Sequence, residues 1–366
     1  MKKIIIAGAG KIGSAIAALL GATPDYAVTV VDSSPAALAS LKASPQVNRL
    51  ALDITDPLAL RAVLAGHFAV LSAAPFQLTS PMAEAAVDAG VHYLDLTEDV
   101  ASTRRVKELA FDARSALIPQ CGLAPGFVSI VAADLCRRFD SLHSVRMRVG
   151  ALPQFPSNAL NYNLTWSTDG VINEYCEPCE VIAHGALRQM PPLAEHEEFS
   201  LDGVTYEAFN TSGGLGTLCQ TLLGKVTHLN YKTIRYPGHA AIMKILLNDL
   251  RLRERRHVLK DLLENALPVT LQDVVIVFVT VSGQREGQLM QETYAHKVYS
   301  HVTGGVLRSA IQITTAAGIC AVLDLLADGR LPQRGFVRQE DIALGEFLAN
   351  RFGSVYAENP AQRAAI

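Results

Sequence analysis

The stretch IIIAGAGKIG, residues 4–13, decides the fold of the first part of this chain. Three isoleucines precede Gly8, Gly10 and Gly13, the G-x-G-x-x-G spacing with which a buried strand turns directly into a helix. The residues that follow, SAIAALLGA, are apolar at helical spacing and rich in alanine, so we predict a helix that opens beside Gly10. The start of such a helix presents backbone amides to an anion, which favours a phosphate-binding turn.

A second buried strand, AVTVVD, ends at Asp32, which lies 19 residues beyond Gly13. In dinucleotide-binding domains a carboxylate at this place meets the ribose hydroxyls. Residues 33–41 contain no lysine or arginine that could bind a 2′-phosphate, so we predict NAD as the cofactor and consider NADP less favoured. The alternative is a tight turn without a ligand, with Asp32 as a helix cap. The predicted cofactor contacts here are Gly8, Gly10, Lys11, Ile12, Gly13 and Asp32.

Short apolar runs continue to alternate with helical stretches up to about residue 126. This alternation predicts a parallel sheet covered by helices, and ligands bind such sheets at the carboxyl ends of the strands. Four further cofactor contacts are predicted there: Asp53 and Ile54 after the third strand, and Ala74 and Pro75 after the fourth. Asp53 has an alternative role, the capping of the helix that begins near Asp56.

The hydrophobic pattern changes after residue 126, where alternation of apolar and polar residues indicates strands with one solvent-exposed face. We predict strands at VRMRVGALP, NYNLTWSTDG and EEFSLDGVTYEAF, and a hairpin over residues 273–300 that turns through Ser282 and Gly283. The apolar helix after residue 308 returns the chain to its first domain. The predicted architecture is therefore α/β: a dinucleotide-binding domain of residues 1–126 plus about 306–350, with an inserted α+β domain of residues 127–305, its sheet mixed or antiparallel.

Composition narrows the class of protein. The 366 residues carry a formal charge of −3 and are 49% hydrophobic, without the basic excess of a nucleic-acid binder. We find no run with the uninterrupted apolar length of a membrane span and no signal peptide, and the six cysteines are scattered. The expectation is a cytoplasmic protein without nucleic-acid or membrane partners. One CxxC pair, Cys176 and Cys179, lacks a second ligand pair nearby, so we predict no metal.

Candidate substrate-binding residues cluster in NTSGGLGTL (210–218) and YKTIRYPGHAAIMK (231–244). Thr211 and Ser212 offer hydroxyls beside glycine amides, a combination that forms anion-binding nests. Lys232 and Arg235 fall on opposite faces of an extended segment, and we predict that Arg235 alone binds a substrate carboxylate in bidentate fashion. His239 is a candidate acid, base or helix cap. The alternative for these residues is a solvated strand and a hairpin loop.

Several segments together resemble one family. The opening glycines, HYLDLTED (92–99), PQCGLAPGFVSIVA (119–132), the TSGG loop and YKTIRYPGHA (231–240) are similar to the saccharopine dehydrogenase-like oxidoreductases, and within them most similar to the lysine 6-dehydrogenase branch. The resemblance covers residues 3 to about 330. It implies a homodimer with a Rossmann domain and an inserted substrate-binding and dimerisation domain that acts on the C–N bond of an amino acid.

The resemblance implies a specific reaction, the NAD-dependent oxidation of the ε-amine carbon of L-lysine to 2-aminoadipate semialdehyde, which cyclises to a piperideine carboxylate, and ammonia. Because only a neutral amine can expel hydride, a base is needed, and the candidates are Asp95, Glu98, Lys232 and His239. Rival activities are a saccharopine- or carboxyspermidine-type dehydrogenase, which needs a second anion site at Arg146, Arg148 or Arg188, and a cyclodeaminase-like lyase. A non-catalytic NAD sensor is a third alternative.

Overall fold

The structure is a computed structural model that describes residues 1–303 and 305–357. The chain divides into two compact units, each with its own internal contacts. The first unit contains Met1–Phe127, Val302–Val306 and the chain from Gln312 onward. The second contains Val128–His301 and Leu307–Ile311.

The first unit alternates strands and helices from its start. Its elements up to the sixth strand are β1 Lys2–Ala7, α1 Lys11–Gly21, β2 Tyr26–Asp32, α2 Pro35–Ala39, β3 Asn48–Ala51, α3 Pro57–Leu64, β4 Ala69–Ser72, α4 Thr79–Ala89, β5 His92–Asp95, α5 Val100–Leu109 and β6 Ala116–Ile118. The strand β1 is the centre of this core because its isoleucines Ile4, Ile5 and Ile6 are fully buried. Their burial on both faces is typical of a strand in a parallel sheet.

Within the described chain this unit has a seven-stranded sheet in the order β17-β6-β5-β4-β1-β2-β3, where β17 is Gly335–Phe336. Neighbouring strands pair in parallel, for example β1 with β2 and β1 with β4. The strand order reverses between β1 and β4, and dinucleotides bind outside the carboxyl ends of the strands at such a switch point. The predicted parallel α/β sheet is thereby confirmed.

The second unit is built around a mixed sheet. Its elements are α6 Phe127–Cys136, β7 Ser141–Pro153, α7 Thr168–Cys176, β8 Cys179–Ala183, β9 Ala186–Met190, β10 Glu197–Leu201, β11 Val204–Asn210, α8 Leu218–Leu222, β12 Val226–Arg235, α9 His239–Lys244, α10 Arg256–Ala266, β13 Asp273–Arg285 and β14 Gln288–Tyr299. In the described residues the sheet has eight strands, with β10-β11-β12-β7-β13-β14 in order, β8 beside β12 and β9 beside β8. The pair β12 and β7 is parallel, and β13 is antiparallel to both β7 and β14.

The last elements are β15 His301–Thr303, β16 Val306–Arg308, α11 Ala310–Ala327, β17 and α12 Leu344–Ala349. By length and composition α11 could cross a membrane, with a mean hydropathy of 1.8 over 18 residues. From the sequence we expected no apolar run long enough to span a membrane, and α11 is an exception to that expectation. The helix is 89% buried within the protein, as is typical of an apolar core helix.

Two sequence predictions in the second unit are wrong. Residues 161–167 form no strand, because Asn161 has a positive φ of 49° and Ser167 starts α7 by accepting a hydrogen bond from the amide of Gly170. The β13–β14 hairpin turns at Glu286 and Gly287, which both have positive φ, rather than at residues 282 and 283. A register shift in the β13–β7 pairing lies at residues 282 and 283 instead.

Candidate functional site

The glycine turn between β1 and α1 has a different requirement at each glycine. Gly8 has a φ of +105°, and a Cβ built on Gly13 would lie 1.9 Å from the carbonyl oxygen of Gly8. These two glycines are therefore required by the turn itself. Gly10 differs, because a Cβ there would meet no heavy atom within 4 Å. Since no side chain caps the start of α1, open space and free amides coincide at Gly10, and this arrangement fits a pyrophosphate.

The carboxylate of Asp32 is fixed beside this turn. Its Oδ2 accepts a hydrogen bond of 2.7 Å from the amide of Ala9, and its Oδ1 accepts one of 2.8 Å from the amide of Ser34. Each carboxylate oxygen has capacity for a further donor, so the geometry fits ribose hydroxyls. Two further predicted contacts lie in the first turn of α1: Lys11, which is exposed, and Ile12, which is half-buried.

The later predicted cofactor contacts lie at the carboxyl ends of β3 and β4. Asp53 is exposed, and its Oδ1 accepts hydrogen bonds from the hydroxyl and the amide of Thr55, which lower its pKa. The helix-capping role that was an alternative for Asp53 belongs to Asp56, which accepts from the amides of Leu58 and Ala59. Ile54 is half-buried against the core of the first unit. Ala74 and Pro75 follow β4 after one intervening residue, Ala73; Ala74 is half-buried and Pro75 is exposed.

Asp95 joins two loops at the carboxyl ends of neighbouring strands. Its side chain is 1% exposed, and Oδ1 accepts hydrogen bonds from the amides of Thr97, at 3.0 Å, and Gln120, at 2.8 Å. Gln120 holds a positive φ of 65°, and the next amide, of Cys121, donates to the backbone carbonyl of Asp95. Burial raises the pKa of Asp95 to about 6 although the two amides oppose the shift. Asp95 thus positions the loop that follows β6.

Glu98 lies in the same loop as Asp95 and is half-buried. Burial, followed by the negative charges of Asp99 and Asp95, raises the pKa of Glu98 to about 7. No other side chain of the described residues donates a hydrogen bond to its carboxylate. A carboxyl group with a pKa near neutrality is suited to general acid–base chemistry.

In the second unit the strand β12 ends at Arg235, whose side chain is buried. Its Nε donates a hydrogen bond of 2.9 Å to the hydroxyl of Tyr175, and one terminal nitrogen donates to the carbonyl of Ile234. The guanidinium also lies 4.9 Å from the ring centroid of Tyr162. No carboxylate of the described chain lies within 4.0 Å of it. A buried cation without an ion-pair partner is suited to a carboxylate ligand.

His239 continues the chain of hydrogen bonds from Arg235. Its Nε2 lies 3.1 Å from the hydroxyl of Tyr175, and its Nδ1 lies 2.9 Å from the carbonyl of Leu160. Since a carbonyl only accepts, the proton resides on Nδ1 and Nε2 accepts from Tyr175. Burial and the nearby Arg235 lower the pKa of His239 to about 3, so the imidazole is neutral at physiological pH. In this state its lone pair is occupied by the tyrosine.

His239 is the first residue of α9, and the start of that helix is capped by a different residue. Glu207, directly opposite Arg235 in the β11–β12 pairing, accepts hydrogen bonds from the amides of Gly238 and Ala240. A third contact joins it to the ring of His196 at 3.0 Å. Glu207 thereby fills the capping role that was one of the sequence alternatives for His239.

The loop that contains Thr211 and Ser212 lies beside the same cluster. The hydroxyl of Thr211 is 2.8 Å from that of Thr233, two residues before Arg235 on β12. The amide of Ser212 donates to the carbonyl of Glu174, the residue before Tyr175 on α7. The structure therefore brings the three predicted substrate-binding residues into one neighbourhood.

Lys232 takes part in a separate group of charges. Its ammonium lies 2.8 Å from Glu197 and also donates to the carbonyl of Glu195, while Arg148 binds the same Glu197 carboxylate. Lys232 pairs with Asn210 in the β11–β12 register, whereas Arg235 pairs with Glu207, so the two cations extend to opposite faces of the sheet. This ion pair does not favour a role for Lys232 as a proton acceptor.

Three residues of the Arg235 neighbourhood had no sequence signal: Tyr162, Glu174 and Tyr175. They lie in a loop and in α7, at least 60 residues before Arg235 in the chain. The CxxC pair has no metal-binding arrangement: Cys176 and Cys179 are buried and free, and no group of three or more metal-ligating residues occurs in the part of the chain that the structure describes.

Family models match nearly the whole chain. Residues 4–117 match the saccharopine dehydrogenase NADP binding domain, and residues 122–352 match the saccharopine dehydrogenase C-terminal domain. The chain belongs to the saccharopine dehydrogenase family. The family resemblance predicted from its motifs is confirmed.

Two curated relatives illustrate the range of the family. Saccharopine dehydrogenase [NADP(+), L-glutamate-forming] of Saccharomyces cerevisiae is 25% identical over 177 residues, which are 47% of this chain and 40% of the relative. Carboxyaminopropylagmatine dehydrogenase of Synechocystis is 26% identical over 221 residues, 55% of this chain and 54% of the relative. The chain spans about half or less of the length of the curated relatives it matches.

Solved structures show the same fold. The apo saccharopine dehydrogenase (L-Glu forming) of Saccharomyces cerevisiae has a TM-score of 0.79 at 18% identity, with 95% of this chain and 97% of that chain covered. A homospermidine synthase of Legionella pneumophila, solved in complex with NAD, has a TM-score of 0.67 at 14% identity, with 98% and 90% covered.

Proposed function

We propose that this protein is an NAD-dependent dehydrogenase that oxidises a C–N bond of an amino acid, with the ε-amine of L-lysine as the favoured substrate group. NAD, held by the glycine turn and Asp32, would accept a hydride from the ε-carbon, and a proton would leave the nitrogen. Water then converts the imine into 2-aminoadipate semialdehyde and ammonia. The observation that carries the proposal is the buried guanidinium of Arg235, which lacks a carboxylate partner in the described chain and fits the carboxylate of an amino acid.

The choice of NAD rests on Asp32. Its carboxylate is held by the amides of Ala9 and Ser34 at the place where the adenine ribose binds in this fold, and residues 33–41 contribute no cation. A 2′-phosphate would meet this negative charge without compensation from these residues. The matching family model is that of an NADP binding domain, so the preference for NAD over NADP has to be measured.

We propose Glu98 as the proton acceptor and Asp95 as the residue that positions its surroundings. Glu98 is half-buried with a pKa of about 7, so near neutrality a fraction of the protein carries the carboxylate that accepts a proton. Asp95 uses Oδ1 for two backbone amides, which is the bonding of a positioning group.

A second candidate is a dehydrogenase that couples an amine to a carbonyl compound in the reductive direction. It is favoured by the names of the relatives, which include saccharopine and carboxyaminopropylagmatine dehydrogenases. It requires a second anion site, for which three arginines were candidates. Arg148 is buried and already bound to Glu197, whereas Arg146 and Arg188 are exposed on their strands. Rates of NADH formation with lysine alone, compared with NADH consumption by an amine and an aldehyde together, separate the two functions.

We further propose a cytoplasmic homodimer. All six cysteines are buried and unpaired, which is typical of a reducing compartment. For the contact between copies we propose the sheet face that carries Phe199, Phe278 and Ala295, where Phe199 and Phe278 stack with their centroids 5.5 Å apart and Ala295 is exposed opposite Phe278. The substitution Ala295→Glu places a charge on this face, and sedimentation velocity should then show a monomer. A wild-type monomer would contradict the proposal.

A further inference from the structure

Glu207 is a buried acid that lies directly opposite Arg235 in the β11–β12 pairing. It is 2% exposed, and its side chain leaves the same face of the sheet as that of Arg235. Oppositely charged side chains in this arrangement usually attract each other across the two strands. The two residues nevertheless form no ion pair within 4.0 Å, and the basic side chain that Glu207 contacts is that of His196. The carboxylate of Glu207 is therefore directed elsewhere.

The carboxylate of Glu207 holds the backbone at the start of α9. Its Oε1 accepts a 2.6 Å hydrogen bond from the amide of Ala240, and its Oε2 accepts one of 2.9 Å from the amide of Gly238. The ring of His196 lies 3.0 Å from the same Oε2. Amides in the first turn of a helix have no acceptor within the helix, so a carboxylate there stabilises the turn. Because the two amides flank His239, Glu207 fixes the backbone from which the imidazole extends.

The side chain of His239 connects this backbone to Arg235. Its Nδ1 donates to the carbonyl of Leu160 across 2.9 Å, and its Nε2 accepts from the hydroxyl of Tyr175 across 3.1 Å. The same hydroxyl accepts from Nε of Arg235 across 2.9 Å. These three side chains are at most 3% exposed, so a displaced imidazole would leave buried polar groups without partners. A continuous series of buried contacts thus leads from Glu207 to the guanidinium.

We propose that Glu207 is a positioning residue that sets the orientation of the Arg235 guanidinium through His239 and Tyr175. This rests on the proposed function and adds to its site a residue that acts through other side chains. Since Glu207 is bound to backbone amides, it does not compete for Arg235, whose remaining donors stay available to a substrate carboxylate. Without the carboxylate of Glu207 the start of α9 shifts, and the guanidinium turns away from the position that binds the substrate.

Hydrogen exchange at the arginine Nε–H groups tests this assignment without any substrate. With isotopically labelled arginine, NMR resolves these groups, and Arg235→Lys and Arg148→Lys each remove one signal and so assign both. Arg148 is the internal reference, because it is 3% exposed and its Nε donates to Glu197 in a separate cluster. In Glu207→Gln we expect exchange at Arg235 to be about tenfold faster, since an amide side chain has one acceptor oxygen for two backbone donors. Exchange at Arg148 should be unchanged.

Two further variants complete the experiment. Glu198 lies directly opposite Glu207 on β10 but is exposed, so Glu198→Gln is the matched control and should leave exchange at both arginines unchanged. His196→Ala removes one contact of the Glu207 carboxylate at an exposed position and should speed exchange at Arg235 about threefold. This variant decides the matter where Glu207→Gln does not fold. Unchanged exchange at Arg235 in the folded variants, or equal acceleration at both arginines, would overturn the assignment.

Kinetics separate this inference from the proposed reaction. In Glu207→Gln the KM for lysine should rise about tenfold with kcat nearly unchanged, and both constants for 1,5-diaminopentane, which has no carboxylate, should stay at the wild-type values. If lysine is not oxidised but exchange at Arg235 responds as expected, the reaction is wrong and the positioning role stands. If lysine is oxidised and its KM does not change in Glu207→Gln, the reaction stands and the positioning role is wrong.

Discussion

Arg235 donates from Nε to the hydroxyl of Tyr175 across 2.9 Å, and Tyr175 in turn donates to Nε2 of His239. This bond joins the end of β12 to the last turn of α7, and it orients a buried guanidinium by one of its five N–H groups. Another N–H donates to the carbonyl of Ile234. The remaining donors form no hydrogen bond to the described residues, so a carboxylate ligand can pair with them in the fork geometry that arginine favours.

Replacement of Arg235 should weaken carboxylate recognition selectively. For Arg235→Gln we expect kcat/KM for lysine to fall about 100-fold, because a charge-assisted pair is lost, while NAD affinity stays unchanged. The same variant should oxidise 1,5-diaminopentane, which has no carboxylate, at the wild-type rate. Steady-state kinetics with both amines checks this. An equal loss for both amines indicates that Arg235 acts on the fold rather than on the substrate.

Glu98 should set the acidic limb of the pH profile. Its pKa of about 7 means that the carboxylate form disappears as the pH falls through 7, so kcat should fall with it. Glu98→Gln should lower kcat by about 100-fold or more and remove this limb. The exposed Glu108 on α5 is the matched control, and Glu108→Gln should keep the wild-type profile. A limb that survives in Glu98→Gln assigns the titration to another group.

The charge of Asp32 should decide between the two cofactors. Asp32→Asn removes the negative charge at the end of β2, so we expect the KM for NAD to rise about tenfold and that for NADP to fall. Initial rates over a range of each cofactor measure both effects. Asp53→Asn is the control, since Asp53 is exposed and its hydrogen bonds go to Thr55. Unchanged cofactor preference in Asp32→Asn contradicts the ribose contact.

Alanine substitutions at Gly10 and Gly13 should have different effects, one on cofactor binding and the other on stability. An added Cβ at Gly10 meets open space, so Gly10→Ala should fold normally but bind NAD about 100-fold more weakly, because the methyl group occupies the pyrophosphate position. Gly13→Ala should instead destabilise the protein by about 3 kcal/mol, since its Cβ would overlap the carbonyl of Gly8. Thermal unfolding and NAD titration of both variants check this. Full NAD affinity in Gly10→Ala would place the cofactor elsewhere.

A buried carboxylate in the first unit should give pH-dependent stability. Asp324 accepts hydrogen bonds from Tyr26, Asn350 and Arg351. Burial alone would raise the pKa of Asp324, but hydrogen bonds from Arg351, Tyr26 and Asn350 bring it below the ordinary value. A lowered carboxyl pKa stabilises the fold above the unfolded pKa of about 3.9, and this contribution is lost as the pH falls through the folded pKa.

The corresponding variant is Asp324→Asn. It should lower the free energy of unfolding by about 2 kcal/mol at neutral pH, a value kept small because Arg351 is partly exposed to solvent. The difference in stability between this variant and the wild type should shrink below about pH 4. Denaturant unfolding at several pH values measures it. Asp328→Asn is the control, since Asp328 is exposed and lies one turn of α11 beyond Asp324, and it should have little effect. A difference independent of pH would assign the loss to packing.

The fold was predictable where the signal is local. The spacing of Gly8, Gly10 and Gly13 and the position of Asp32 depend on one strand, one helix and the next strand, all within a few turns of chain. The β13–β14 turn was misplaced because Gly283 looks like a turn glycine. It is needed in the strand, since a Cβ there would lie 2.1 Å from the carbonyl of Ser141 on β7.

The site was predictable only in part. Arg235, Thr211 and Ser212 stand out as polar residues in short motifs, and the structure gathers them. Glu174 and Tyr175 are different, because they lie in no recognisable motif, and residues 161–170 just before them were predicted as a strand. Only the hydrogen bond between Tyr175 on α7 and Arg235 at the end of β12 shows that they lie near Arg235. Contacts between segments so far apart in the chain leave no periodic trace in one sequence.

The most direct test of the central claim is the initial rate of NADH formation from L-lysine and NAD at about pH 9, where more of the amine is neutral than at pH 7. Ornithine, saccharopine and carboxylated polyamines, each also tested with NADP, complete the panel. We predict NADH formation with lysine alone, faster with NAD than with NADP. Intact NAD binding without oxidation of any amine in the panel would contradict the assignment of an amino-acid dehydrogenase.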